Sequence, residues 1–93
     1  MLTVNTLSVT RTFSGEVVDI NIQVSSSDEI IFQIQMYDNK TKIVYKGERL
    51  SSLDELNSLL ERDGYGSVTR DNVTFLTADY VRDHNAFFEF FGI

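Results

Sequence analysis

The chain is 93 residues long, 42% hydrophobic and 24% charged, with a formal charge of −6 and neither cysteine nor proline, which describes one globular domain. Without cysteine there is no disulfide framework, thiolate nucleophile or sulfur-ligated metal, and no apolar run approaches the roughly 20 residues that cross a bilayer as a helix. The opening MLTVNTLSV lacks the basic start and apolar middle of a signal peptide, so a cytoplasmic protein is expected.

In chain order, Leu7 to Phe13 reads as a first strand, with Leu7, Val9 and Phe13 alternating against Ser8, Thr10 and Thr12. Leu2 and Val4 are out of phase with that set, and the change of phase near Asn5-Thr6 predicts either a bulge or a strand that begins later. Ser14-Gly15 then reads as a tight hairpin turn.

The clearest alternation lies between Glu16 and Tyr37. Val18, Ile20, Ile22 and Val24 oppose Asp19, Asn21 and Gln23; after a polar turn over Ser25 to Asp28, Ile30, Phe32, Ile34 and Met36 oppose Gln33 and Gln35. This predicts an antiparallel hairpin with one dry and one wet face. A turn at Asp38-Asn39-Lys40 leads into a short fourth strand, TKIVYK, whose terminal lysines would guard an exposed edge. The short links make an antiparallel meander the simplest topology, with a ubiquitin-like or Greek-key arrangement as the alternative.

Helical signals begin at Ser52. Glu55 follows three residues later as in a capping box, Leu53, Leu56, Leu59 and Leu60 recur at helical spacing, and Gly64 is a terminator, giving a helix over 52–63. Gly64 and Gly66 flank Tyr65 in a loop, and Val73 to Leu76 reads as a short fifth strand. A second helix is expected over 77–91, with Thr77 as cap, Tyr80, Val81, His84, Phe87, Phe88 and Phe91 on one face and Gly92 at its end. The competing reading makes the aromatic run FFEFF a strand. The expected fold is therefore α+β: a four- to five-stranded, mainly antiparallel sheet with two helices covering one face.

Few residues carry chemistry. Asp79, Asp83 and His84 lie close in sequence, but on a helix His84 points about 100° from Asp83 toward the apolar stripe, so no metal site is expected. No nucleotide-binding glycine pattern occurs, and no cofactor is expected. The triplets at Asn39 and Asn72 match the glycosylation acceptor pattern, which has meaning only after secretion.

Residues 1–46 hold four basic and five acidic side chains, whereas residues 47–93 hold four basic and nine acidic ones. That balance argues against nucleic acid or an anionic membrane as direct partners and allows a protein with a basic surface. The expected function is that of a small, acidic, non-catalytic accessory protein acting by protein–protein binding. Its candidate contact residues are Asp54, Glu55, Glu61, Tyr65 and Phe90, the last because it falls about 120° from the centre of the apolar stripe. Three alternatives are an acidic mimic of nucleic acid blocking a basic surface, a self-assembling protein that dimerises through Phe90 or the first strand's edge, and a small hydrolase-like enzyme using His84 beside Asp83.

Overall fold

The computed structural model describes residues 1–76 and 81–93. Strands β1 (Leu2–Arg11), β2 (Val17–Ser26), β3 (Glu29–Tyr37), β4 (Lys40–Tyr45) and β5 (Glu48–Leu50) are followed by helix α1 (Leu53–Arg62), strand β6 (Val73–Phe75) and helix α2 (Val81–Phe91). The fold is α+β as expected, with one strand more than the sequence indicates. The sheet order is β5-β4-β3-β2-β1-β6; the first five strands form the antiparallel meander, and β6 lies parallel to β1 at the opposite edge from β5. Among the described residues, no helix is long and apolar enough to cross a membrane.

Three of the meander's links are two-residue turns, and each puts both central residues at positive φ: Ser27 and Asp28 at 51° and 66°, Asp38 and Asn39 at 53° and 61°, Lys46 and Gly47 at 46° and 84°. Such turns twist with the strands they join. The first link is longer than the expected Ser14-Gly15 turn. It runs from Thr12 to Glu16, with the Thr12 N–H donating to the Glu16 carbonyl (2.9 Å) and Gly15 at φ 92°.

Bulges decide which side chains enter the core. The expected one on β1 lies between Val4 and Thr6 and brings Leu2, Val4, Leu7 and Val9 to one face. Two more were not expected. Thr10 pairs with Asp19 but Arg11 with Val17, which leaves Val18 exposed; Val24 pairs with Phe32 but Ser25 with Ile30, which buries the extra residue Ile31 and turns Ile30 outward. Val18 and Ile30 are therefore not core residues, and Phe13, expected on the apolar side of a strand, is fully exposed in the β1–β2 link.

β4 is not the sheet edge. β5 pairs with it over Ile43–Tyr45, leaving Lys40 and Lys42 on the stretch of β4 beyond β5's reach. β1 is not an edge at its start either, because β6 pairs with Leu2, Thr3 and Val4.

Both helices cover the same face. α1 packs on β4 and β5, α2 on β1. The Ser52 hydroxyl accepts the Glu55 N–H (3.1 Å), while the Glu55 carboxylate reaches back one residue further than a standard capping box, to the Ser51 N–H and hydroxyl. Gly64 (φ 84°) ends α1 in a Schellman motif, the Tyr65 N–H donating to the Leu60 carbonyl (2.9 Å) and the Gly64 N–H to that of Glu61. Gly92 ends α2 in the same way, through Ile93 to Phe88 and Gly92 to Glu89. The aromatic run is thus helix, not strand; the expected cap Thr77, with Asp79 and Tyr80, lies outside the described residues. Phe87 is completely buried and packs edge-on against Phe75 and Phe88 at 5.4 and 5.7 Å, with Phe91 at 4.9 Å.

Candidate interaction face

Two helices on one side leave the other side of the sheet open. The alternation of β1 to β3 fills it mainly with hydroxyl and amide side chains, β4 adds Lys40, Lys42 and Val44, and the register sets them in rows. Thr6, Gln23, Gln33, Val44 and Arg49 form one row; Ser8, Asn21, Gln35 and Lys42 a second; Thr10, Asp19, Tyr37 and Lys40 a third. Successive rows are roughly 7 Å apart along the strands and neighbouring strands about 4.8 Å apart. In a protein of charge −6 this face is neutral at its centre and cationic along β4 and β5, where Lys40, Lys42 and Arg49 gather.

A concavity of about 460 Å³ marks each end of the face. One is bordered by Thr10, Asp19, Asn21, Gln35 and the exposed Tyr37. The other lies where two bulges converge on β2. The Asn5 side-chain amide donates to the hydroxyl of Ser25, which is itself only 9% exposed, and Asn5 Oδ1 is buried without a hydrogen-bond partner among the described residues. Thr3, Asp28, Ile30 and Leu76 complete that second cleft.

The sequence-predicted residues lie elsewhere and are not brought together. Asp54 and Glu55 open α1, Glu61 sits near its end, and Tyr65 follows its cap. Several carboxylates of this region already hold protein donors. The Glu55 carboxyl is lowered by the Ser51 N–H and hydroxyl, that of Glu61 by the Ser67 hydroxyl and N–H (2.8 and 3.0 Å). Hydrogen bonds from Arg62 (3.0 and 3.1 Å) and from the Tyr45 hydroxyl (2.5 Å) hold Asp63 at about 2. Burial, followed by the Asp63 contact, pushes the Tyr45 phenol far up. Tyr65 is half-buried with the Lys46 ammonium 5.0 Å from its ring centroid. Phe90, expected to be exposed beside the apolar stripe, is half-buried against Phe91 and borders a hollow with Val17, Ile20 and Met36.

These three carboxylates set an acid limit on stability. Their folded pKa values lie below the unfolded values near 4, so their contribution is complete above that range and is lost as pH falls through the folded values. Urea midpoints should therefore decline from about pH 5 to pH 2, and the decline should be shallower in Asp63→Asn. Equal slopes in the two proteins would refute this assignment.

His84 stacks flat on Phe75, with ring centroids 4.0 Å apart at 8°, and its Nε2 is buried without a partner among the described residues. The neighbouring Asp83 carboxylate instead meets the Arg11 guanidinium at 3.4 Å. No group of three metal-ligating side chains occurs among the described residues. Of the two glycosylation triplets, Asn39 lies in an exposed turn, whereas the Asn72 amide donates to the Tyr65 and Ser67 carbonyls (3.1 and 3.0 Å) and ties down the Tyr65 loop.

The open face was legible as the wet side of the hairpin, but its continuity across β1 to β5 was not. That continuity depends on pairings that periodicity within one strand does not reveal. No family model, no curated protein and no solved structure matches this chain.

Proposed function

We propose that this protein is a non-catalytic binding module, working in the cytoplasm, that engages another protein through the uncovered face of its sheet. The observation that carries the reading is the set of in-register rows of amide and hydroxyl side chains from β1 to β3, all exposed but the half-buried Gln23, bordered on β4 by Lys40 and Lys42, with an exposed tyrosine at one end and exposed isoleucine and leucine at the other. A broad surface with dispersed hydrogen-bonding groups and a few apolar anchors suits a protein partner, and the reading needs no cofactor.

The acidic-mimic alternative has weaker support. Glu55, Glu61 and Asp63 are engaged in caps and loop contacts, and Arg62 interrupts their charge. An enzyme reading has little to build on, since the His84 imidazole lies against Phe75 and its neighbour Asp83 faces Arg11.

Immobilised wild-type protein, a Gln33→Arg/Gln35→Arg variant and an Asp54→Lys/Glu61→Lys variant should be compared for partner capture at near-physiological salt. All four side chains are exposed; Glu61→Lys gives up the two Ser67 hydrogen bonds, so a urea midpoint should first establish that each variant is folded. A partner retained by the wild type and the helix variant but lost by the sheet variant is the expected result. Loss only in the helix variant would move the interface to the acidic surface, and retention by both variants would overturn the reading.

A further inference from the structure

We infer that the cleft formed by Thr3, Asn5, Ser25, Asp28, Ile30 and Leu76 receives an arginine or lysine side chain of the protein partner. This rests on the protein-binding reading above and adds the chemistry of the partner's anchor.

The cleft is produced by irregularity in the sheet. The bulge at Asn5 on β1 and the bulge at Ile31 on β3 lie on either side of Ser25 on β2. The first turns the Asn5 amide onto the Ser25 hydroxyl; the second leaves Ile30 opposite Ser25 on the open side, 46% exposed. Bulges commonly re-aim side chains in this way beside binding sites. The third wall is Leu76, 69% exposed, whose N–H donates to the Val4 carbonyl at 2.9 Å and so fixes it just beyond β6.

The lining has two characters. Ile30 and Leu76 offer an apolar surface, and Asp28 supplies a carboxylate in the turn between β2 and β3, next to Glu29. Among the described residues, no cationic side chain lines the cleft. Asn5, whose Oδ1 is buried without a hydrogen-bond partner among the described residues, belongs to the same lining. An anionic group would be repelled, and a purely apolar one would strip water from Asp28 and the hydroxyls without replacing their hydrogen bonds. Lysine and arginine combine what is needed: a flexible aliphatic stem that covers apolar surface and a charged head that stays at the wet rim. A guanidinium would also match the carboxylate in bidentate geometry while leaving N–H groups for nearby hydroxyls. A volume of about 460 Å³ accommodates either side chain.

One solvated charge pair and one covered stem give weak binding, with Kd in roughly the millimolar range for an isolated residue. The test is a ¹H–¹⁵N NMR titration of the whole protein with N-acetyl-arginine amide, N-acetyl-lysine amide and, as the uncharged counterpart, N-acetyl-norleucine amide. Saturable shifts of the Ser25, Asp28, Ile30 and Leu76 amides are expected with the two cationic probes. Affinity should fall roughly three- to tenfold for norleucine and by a similar factor for the cationic probes in Asp28→Asn, a variant that keeps a residue suited to φ 66°. Leu76→Ser should weaken both cationic probes several-fold. The assignment is overturned if neither cation gives saturable shifts, if norleucine binds as well as the cations, or if Asp28→Asn changes nothing. A silent cleft in a protein that still captures a partner through Gln33 and Gln35 would overturn this assignment alone, leaving the protein-binding reading in place.

Discussion

Phe87→Ala will lower the stability of this protein by about 3–5 kcal/mol, the range for removing a fully buried aromatic side chain and leaving a cavity. The loss is large against the roughly 5–14 kcal/mol available to a domain of this size. Phe87 has no solvent exposure and stands among Phe75, Phe88 and Phe91, whose rings lose an edge or a face when it is removed. A shift of the urea midpoint at unchanged slope would measure the effect. Phe13→Ser is the control: Phe13 is fully exposed, so its replacement should change stability by about 0.5 kcal/mol or less. Equal effects at the two positions would mean that α2 does not complete the core.

Leu60→Ala should cost about 2–5 kcal/mol and should act locally. Leu56 and Leu60 are the buried residues of α1, and the Leu60 carbonyl also accepts the Tyr65 and Gly66 N–H groups that end the helix. Shortening Leu60 thus loosens both the helix and the loop tied to it. Native-state hydrogen exchange should show amides of α1 and residues 63–72 losing protection before those of β2 and β3. If the sheet amides lose protection equally, α1 and the sheet open as a single unit.

Where a residue pattern admits one phase, sequence and structure agree. In β2, Asp19-Ile20-Asn21-Ile22-Gln23-Val24 alternates without a break, and the structure places its isoleucines and Val24 in the core. The phase change at Asn5-Thr6 likewise located a bulge. Reading failed where apolar residues are consecutive: Val17-Val18 and Ile30-Ile31-Phe32 permit either phase, and only cross-strand pairing selects Ile31 over Ile30. Strand β5 was missed because three residues, Glu48 to Leu50, are too few to show alternation. Its partner's identity is fixed by the Lys46-Gly47 turn.

The candidate face shows the same limit. Asp19, Asn21, Gln23, Gln33 and Gln35 read as the wet side of the hairpin, yet the second cleft depends on Ile30, which alternation alone puts in the core, and on Leu76, which β6 holds beside the start of β1. The acidic residues are conspicuous by charge and Phe90 by its angle to the apolar stripe, and neither property reveals a side chain's partners. In the folded protein, Glu55, Glu61 and Asp63 serve caps and loops, and Phe90 leans on Phe91.

The parallel pairing of β6 with β1 has a consequence for how the protein is made. Thr3 lies beside Thr74, 71 residues further along the chain. At about 5–20 residues per second, roughly one to five seconds of synthesis separate the end of β5 at Leu50 from the start of β6 at Val73. Until β6 and α2 follow, the local turns can pair the strands of the meander as they emerge, but the outer backbone of Leu2 to Val4 has no neighbour and the core face has no α2 above it. The strand synthesised first is the last to be enclosed, so a nascent chain stalled before Val73 should be an especially good substrate for a ribosome-associated chaperone.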